Sequence, residues 1–210
     1  MISDLPLFIL AGILLNLTPG PDMAYYGSRA ASQGFKSGMA GLFGVCAGCL
    51  VHTFAAALGL SAILSTSAEA FLIVKLIGAA YLLWVGFGML RETSQGGLKL
   101  NAGLEAISHR KVFMQGLLTN TLNPKVALFF LAFLPQFIGP DSTQRAWAFV
   151  ILGLIFIVNS IVVMTPLIWF CARMGERVRG SSAITTWLNR ACGALFVGVG
   201  IKLALTERPV

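Results

Sequence analysis

Thr18-Pro19-Gly20-Pro21-Asp22 and Asn123-Pro124-Lys125 each interrupt an otherwise apolar run, and these two breaks decide how the chain is read. Leu5 to Leu17 carries no charge, and Val112 to Ile138 carries only Lys125. A transmembrane helix needs ~20 mostly apolar residues, so each break falls inside a segment long enough to span a bilayer. Thr18 and Asn123 are good helix N-caps, and a proline directly after a cap sits where its missing N–H costs nothing. Each break therefore reads as a helix restart: Thr18 then Pro19, with Pro21 still inside the turn of unpaired N–H groups, and Asn123 then Pro124. At 1.5 Å per residue, Thr18 is ~20 Å from Leu5 and Asn123 ~17 Å from Val112, in a hydrocarbon core ~30 Å thick. Both restarts fall near mid-membrane.

The rest of the chain fits the same solvent. Its 210 residues are 57% hydrophobic and 11% charged, and 8 acidic plus 15 basic side chains cannot cover the surface of a water-soluble globule. Disorder is excluded by the same composition. The net charge of +7 does not mark a nucleic-acid partner, because the basic residues fall beside the apolar runs rather than on one face.

Six spans are expected: Leu5 to Ser28, part of Ser37 to Ala68, Phe71 to Leu90, Val112 to Ile138, part of Ala146 to Cys171, and Trp187 to Leu205. Lys75 and Lys202 are close enough to span ends to snorkel. The first, third and fifth connections hold Arg29, Lys36, Arg91, Lys99, Arg110, Lys111, Arg173, Arg177, Arg179 and Arg190, against Lys75, Arg145, Lys202 and Arg208 on the other side. The positive-inside rule makes those three loops cytoplasmic and both termini extracytoplasmic. Met1 to Leu17 has Asp4 where a signal peptide has a basic region, so it reads as a retained first span.

Arg91 to Lys111 is the longest polar stretch and reads as a cytoplasmic linker between halves of about 1–95 and 108–210 within one transmembrane domain. The halves repeat weakly. Gly12 to Asn16 matches Gly116 to Asn120, Pro19 matches Pro124, and Gly78 to Tyr81 resembles Gly193 to Phe196. Three spans per half force equivalent spans to run in opposite directions. The expected fold is an all-α polytopic membrane protein, six transmembrane helices as two inverted three-helix repeats, with the first and fourth helices interrupted.

Free N–H groups at that depth must face protein, water or a ligand. Two half-helix N-termini make a positive site suited to a carboxylate. Asp22 and Lys125 are the charges at full depth and are expected to pair or to line a cavity. The expected substrate- and proton-binding set is Asp22, Lys125, Thr18, Pro19, Gly20, Pro21, Asn123, Pro124, Asn16, Asn120 and His52. His52 enters because histidine titrates nearest neutrality. Asn16, Asn120, Asn159 and Gln115 are polar at depth and either line the cavity or join helices.

Together with Asn123 to Phe137, which ends in Leu-Pro-Gln-Phe, and Gly78-Ala-Ala-Tyr-Leu-Leu-Trp-Val-Gly86, the first break resembles the lysine exporter and threonine/homoserine efflux family, the LysE-type translocators. The resemblance implies export of neutral or basic amino acids across the bacterial inner membrane by proton antiport, through a small six-span protein that forms a homodimer. The expected partners are thus an amino acid, protons and the lipid bilayer.

Two features read differently. Gly34, Gly38, Gly41, Gly44 and Gly48 form a small-residue face for close helix packing. Cys46-Ala-Gly-Cys49, followed by His52, has redox or metal spacing, and an intramembrane thiol-redox carrier is the alternative function. No GxSxG, HExxH, Walker or Rossmann pattern occurs, so neither an enzyme nor a metal site nor a cofactor is expected.

Overall fold

The computed structural model of the chain describes residues 2, 4–60, 68–91, 100–101, 103–138, 144–174 and 182–205. Among these it is all helix, with one isolated bridge between Ile2 and Ile138. The helices are α1 (Leu5–Leu17), α2 (Pro21–Gln33), α3 (Phe35–Ala55), α4 (Ala68–Arg91), α5 (His109–Thr121), α6 (Pro124–Leu128), α7 (Arg145–Met174) and α8 (Ser182–Leu205). α3 continues as a π-helical turn, Ala56–Leu60, and α6 as a π-turn, Phe129–Phe133, then a 3-10 turn, Leu134–Phe137.

Both expected breaks are present. α1 and α2 meet at 58°, and α5 meets the Pro124–Phe137 run at 52°. Phe35–Leu60 and Arg145–Arg173 are each long and apolar enough to cross a bilayer, and each bent pair passes the same test taken as one span. α4 and α8 occupy the regions expected for the third and sixth spans. The helices run past the charges used to bound the spans: α2 continues to Gln33 and carries Arg29 within it, so Arg29 is not a loop residue. Arg177, Arg179, Lys99 and Arg208 lie outside the described residues.

The first restart differs from expectation. α2 begins at Pro21 with Gly20 as its N-cap, whereas Thr18 closes α1, its hydroxyl donating back to the Leu14 carbonyl at 2.6 Å. The reason is steric. A proline pushes the residue before it out of the helical region, and Pro21 holds Gly20 extended at φ −172°, ψ −179°. A helix cannot pass through Gly20, so Pro19 is left in the link. The second break has one proline and restarts as expected, with Asn123 Oδ1 accepting from the Lys125 N–H at 3.1 Å.

α3 packs along α5, α2 and α7, while α4 packs on α8 and α1 on α7. The α3 glycines make the first contact possible. A Cβ on Gly116 of α5 would stand 2.6 Å from the Gly41 carbonyl, and one on Gly44 would strike the Phe113 carbonyl. The two backbones therefore touch directly, which holds Asn120 at the end of α5 against α3. Gly34, the one residue between α2 and α3, takes φ 84°, a conformation open to glycine.

Candidate functional site

The residues at the two breaks hold each other. Asp22, in the first turn of α2, accepts at Oδ2 from Asn120 Nδ2 at 2.8 Å and from Asn123 Nδ2 at 3.1 Å. Lys125, in the first turn of α6, reaches back to the first break, where its Nζ donates to the carbonyls of Thr18 at 3.2 Å and Leu15 at 3.4 Å. Each break thus supplies the groups that satisfy the other. The chemistry suits the ends involved, since the last carbonyls of α1 have no helical partners and carry partial negative charge that favours a cation. Asp22 at the N-terminus of α2 meets the complementary partial positive charge.

A cavity with about 480 Å³ of empty space, its open mouth included, lies between the breaks. Seven of the expected site residues line it: Asn16, Thr18, Gly20, Asp22, Asn120, Asn123 and Lys125. Asp22 Oδ1, Asn120 Oδ1 and Asn16 Nδ2 are buried without hydrogen-bond partners. A buried polar atom left unpaired costs roughly 1–3 kcal/mol; Asn120 Oδ1 packs against Gly48 of α3, which leaves Asp22 Oδ1 and Asn16 Nδ2 as the groups for a polar ligand.

The other four expected residues are near but not in the lining. Pro19, Pro21 and Pro124 shape the breaks through the backbone. His52 sits behind Asn120: its Nε2 is 3.1 Å from the Asn120 carbonyl, and its ring packs 5.8 Å from that of Phe130. A carbonyl only accepts, so Nε2 carries a proton in this contact.

Two of the polar groups expected at depth turn elsewhere. Asn159 Nδ2 donates to the Ile9 carbonyl at 2.9 Å, and its neighbour Ser160 lines the cavity instead, because adjacent helical residues point ~100° apart. Gln115 belongs to a second polar cluster that sequence reasoning missed. Arg29, 8% exposed, donates to Gln33 Oε1 and the Glu105 carbonyl at 3.1 Å each and to Gln115 Oε1 at 3.2 Å, and stacks over the Tyr25 ring at 5.9 Å. Tyr25 donates to the Val112 carbonyl at 2.7 Å, Gln33 to the Ile107 carbonyl at 2.9 Å, and the Asn101 N–H to Ser28 Oγ at 2.9 Å. Asn101, Glu105 and Ile107 of the linker are in this way strapped along α2, and Leu100 packs on Gly27 of the same helix. The signal was present, since Tyr25, Arg29 and Gln33 are four residues apart and form one polar stripe.

On the opposite side of the cavity, beside α1, the rings of Phe8, Phe129, Phe133, Phe137 and Phe156 form a buried stack, with Phe129 and Phe133 4.8 Å apart. Phe129 and Phe133 bound the π-turn after the second break. The polar strap thus lies towards the end of α2 and the aromatic rings towards the start of α1, where Phe156 also lines the cavity. Cys46 and Cys49 are buried, free thiols, and Cys49 is part of the cavity wall.

A family model described as LysE type translocator matches residues 13–207. The homoserine/homoserine lactone efflux protein of Salmonella typhimurium is 33% identical over 197 residues, covering 94% of each chain. The threonine efflux protein of Escherichia coli K12 is 29% identical over 207 residues, covering 93% of this chain and 94% of its own. An uncharacterized membrane protein of Pseudomonas aeruginosa is 31% identical over 206 residues, covering 97% of this chain and 95% of its own. No solved structure matches this chain. None of these relatives supports the thiol-redox alternative.

Proposed function

The chain belongs to the LysE type translocator family, and from that premise we propose that it exports amino acids from the cytoplasm by proton antiport. The observation that carries this reading is the exchange of partners between the breaks around one cavity, with Asp22 and Lys125 its two charged wall groups. An amino acid carries an ammonium and a carboxylate. The ammonium donates to Asp22 Oδ1, the carboxylate oxygen left unpaired. The carboxylate meets Lys125 Nζ, which stands 3.6 Å from where a Cβ on Gly20 would be, and the N-terminal N–H groups of α2. Asp22 holds either a proton or the substrate ammonium, and that exclusion couples the two fluxes in opposite directions.

In this reading α1 with α2, α3 and α4 form one three-span half and α5 with α6, α7 and α8 the other, inverted in an inner membrane. The strap over α2 faces the cytoplasm and the aromatic stack faces outward. Each closes one end of the path, and alternating access requires one to open while the other stays shut. Substrate flux in the cell then runs from the strapped end to the aromatic end. The names of the relatives point to homoserine, its lactone and threonine as first substrates to try.

The test is counterflow in proteoliposomes. Vesicles preloaded with homoserine or threonine should take up the labelled amino acid against its gradient, and an imposed proton gradient should drive net flux. Vesicles that exchange no amino acid would reject the reading. The sidedness has its own expected result: a reporter fused after Val210 should be active only in its extracytoplasmic form, and cytoplasmic activity would reverse the assignment.

A further inference from the structure

Asn16 and Ser160 form a polar pair that the binding of ammonium and carboxylate leaves unused. Asn16 lies half a turn before the break on α1, and Ser160 faces it from α7. Both line the cavity. Ser160 Oγ is 3.0 Å from Asn16 Oδ1 and 2.8 Å from the Phe156 carbonyl, yet a serine hydroxyl has one proton to donate.

If Ser160 gives its proton to Asn16, the Asn16 Nδ2 group stays buried without a partner. If Ser160 gives it to Phe156 instead, its oxygen becomes an acceptor, and Asn16 meets it by turning its amide over so that Nδ2 donates. The Asn16 oxygen is then the atom without a partner. In both arrangements one polar half of Asn16 is left over, a donor in the first and an acceptor in the second. A pair that offers either sense matches a neutral group that both donates and accepts, which a hydroxyl does and a methyl does not.

The remaining wall narrows the class further. Among the described residues Asp22 and Lys125 are the charged ones lining the cavity, and Leu42, Val45, Phe156 and Met164 make much of the rest apolar. Once the two charges are taken by the substrate's ammonium and carboxylate, no carboxylate in the wall is left for a basic side chain. We propose that Asn16, positioned by Ser160, reads the substrate's side chain and selects amino acids with a short neutral hydrogen-bonding group over aliphatic ones of the same shape. This inference rests on the amino-acid transport reading above and adds to it a specificity residue.

Homoserine and norvaline differ only in a hydroxyl for a methyl, so their ability to compete in counterflow is the direct measure. The protein should prefer homoserine by about tenfold or more, since a site built to bond a hydroxyl leaves its own polar group unpaired against a methyl. Asn16→Leu should bring the two competitors to about equal affinity, and Ser160→Ala should narrow the gap. Loss of homoserine and norvaline by the same factor in Asn16→Leu would overturn the proposal, because Asn16 would then act on the main-chain groups or on the fold. If Asn16→Leu does not fold, Ser160→Ala decides, and an unchanged ratio there rejects the pairing. Wild-type protein that exchanges amino acids without preferring homoserine overturns this inference alone. Wild-type protein that exchanges none overturns the transport reading and this with it.

Discussion

Asp22→Asn is expected to abolish efflux driven by a proton gradient while leaving slower exchange of one amino acid for another. The substitution preserves shape closely. Asn120 and Asn123 both donate to Oδ2, so an asparagine at position 22 can place its oxygen there and keep both bonds. Its NH2 group then takes the position of Oδ1, the atom buried without a partner. What disappears is the negative charge and the ability to take up and release a proton. Substrate ammonium loses a charge-assisted bond worth ~1.5–3 kcal/mol, or roughly 10- to 150-fold in affinity. Exchange measured at saturating substrate should persist, because exchange needs no net proton movement. Flux in vesicles that still follows an imposed pH gradient would reject Asp22 as the coupling group.

Lys125→Met should weaken amino-acid binding by a similar ~10- to 150-fold and spare the matching amino alcohol, which has no carboxylate. Two roles were open for this residue, pairing with Asp22 or binding the substrate carboxylate. The structure gives the Asp22 carboxylate its hydrogen bonds from Asn120 and Asn123 and sends the Lys125 ammonium to the Leu15 and Thr18 carbonyls. Lys125 also acts on Asp22 through its charge, so the mutant behaviour and not the placement separates the two roles. If Lys125 serves only to close the end of α1, its loss distorts the whole site, and amino acid and amino alcohol should weaken together. The double variant with Asp22→Asn sharpens the comparison. Recovery of folding or binding in the double variant would mean that Lys125 mainly offsets Asp22, whereas carboxylate binding predicts no recovery. Titration of both ligands against the purified single and double variants reads out each case.

The all-helical fold, the two breaks and the residues that meet there were legible from the chain because they depend on local chemistry. A proline directly after a cap-forming residue allows a helix restart, and a charge beside it at that depth needs a partner; Pro166, which follows Thr165 with no charge beside it, is carried inside α7. Seven of the eleven expected site residues line the cavity for this reason. The first restart was misplaced by two residues. That too was local chemistry: Pro21 disfavours a helical Gly20 just as Pro19 disfavours a helical Thr18, and α2 begins after the second of the two.

What the sequence by itself determined was thus the solvent, the positions of the breaks and the presence of a charge beside each of them. Composition and backbone sterics act through near neighbours, and near neighbours are what a sequence displays. Only the tertiary structure decided which groups answer those charges. Asn120 and Asn123 lie about a hundred positions from Asp22, and no spacing rule connects them. Nor does any connect Lys125 to the carbonyls of Leu15 and Thr18, since a backbone acceptor leaves no mark on residue identity. Arg29 shows the same limit from the other direction: counted as a topological charge, it is buried under the linker because the carbonyl of Glu105 and the side chain of Gln115 are brought to it by packing. Asn159 and Ser160 differ by one position in the chain, yet one bonds to α1 backbone and the other faces the cavity, a choice set by the rotation of α7 against its neighbours.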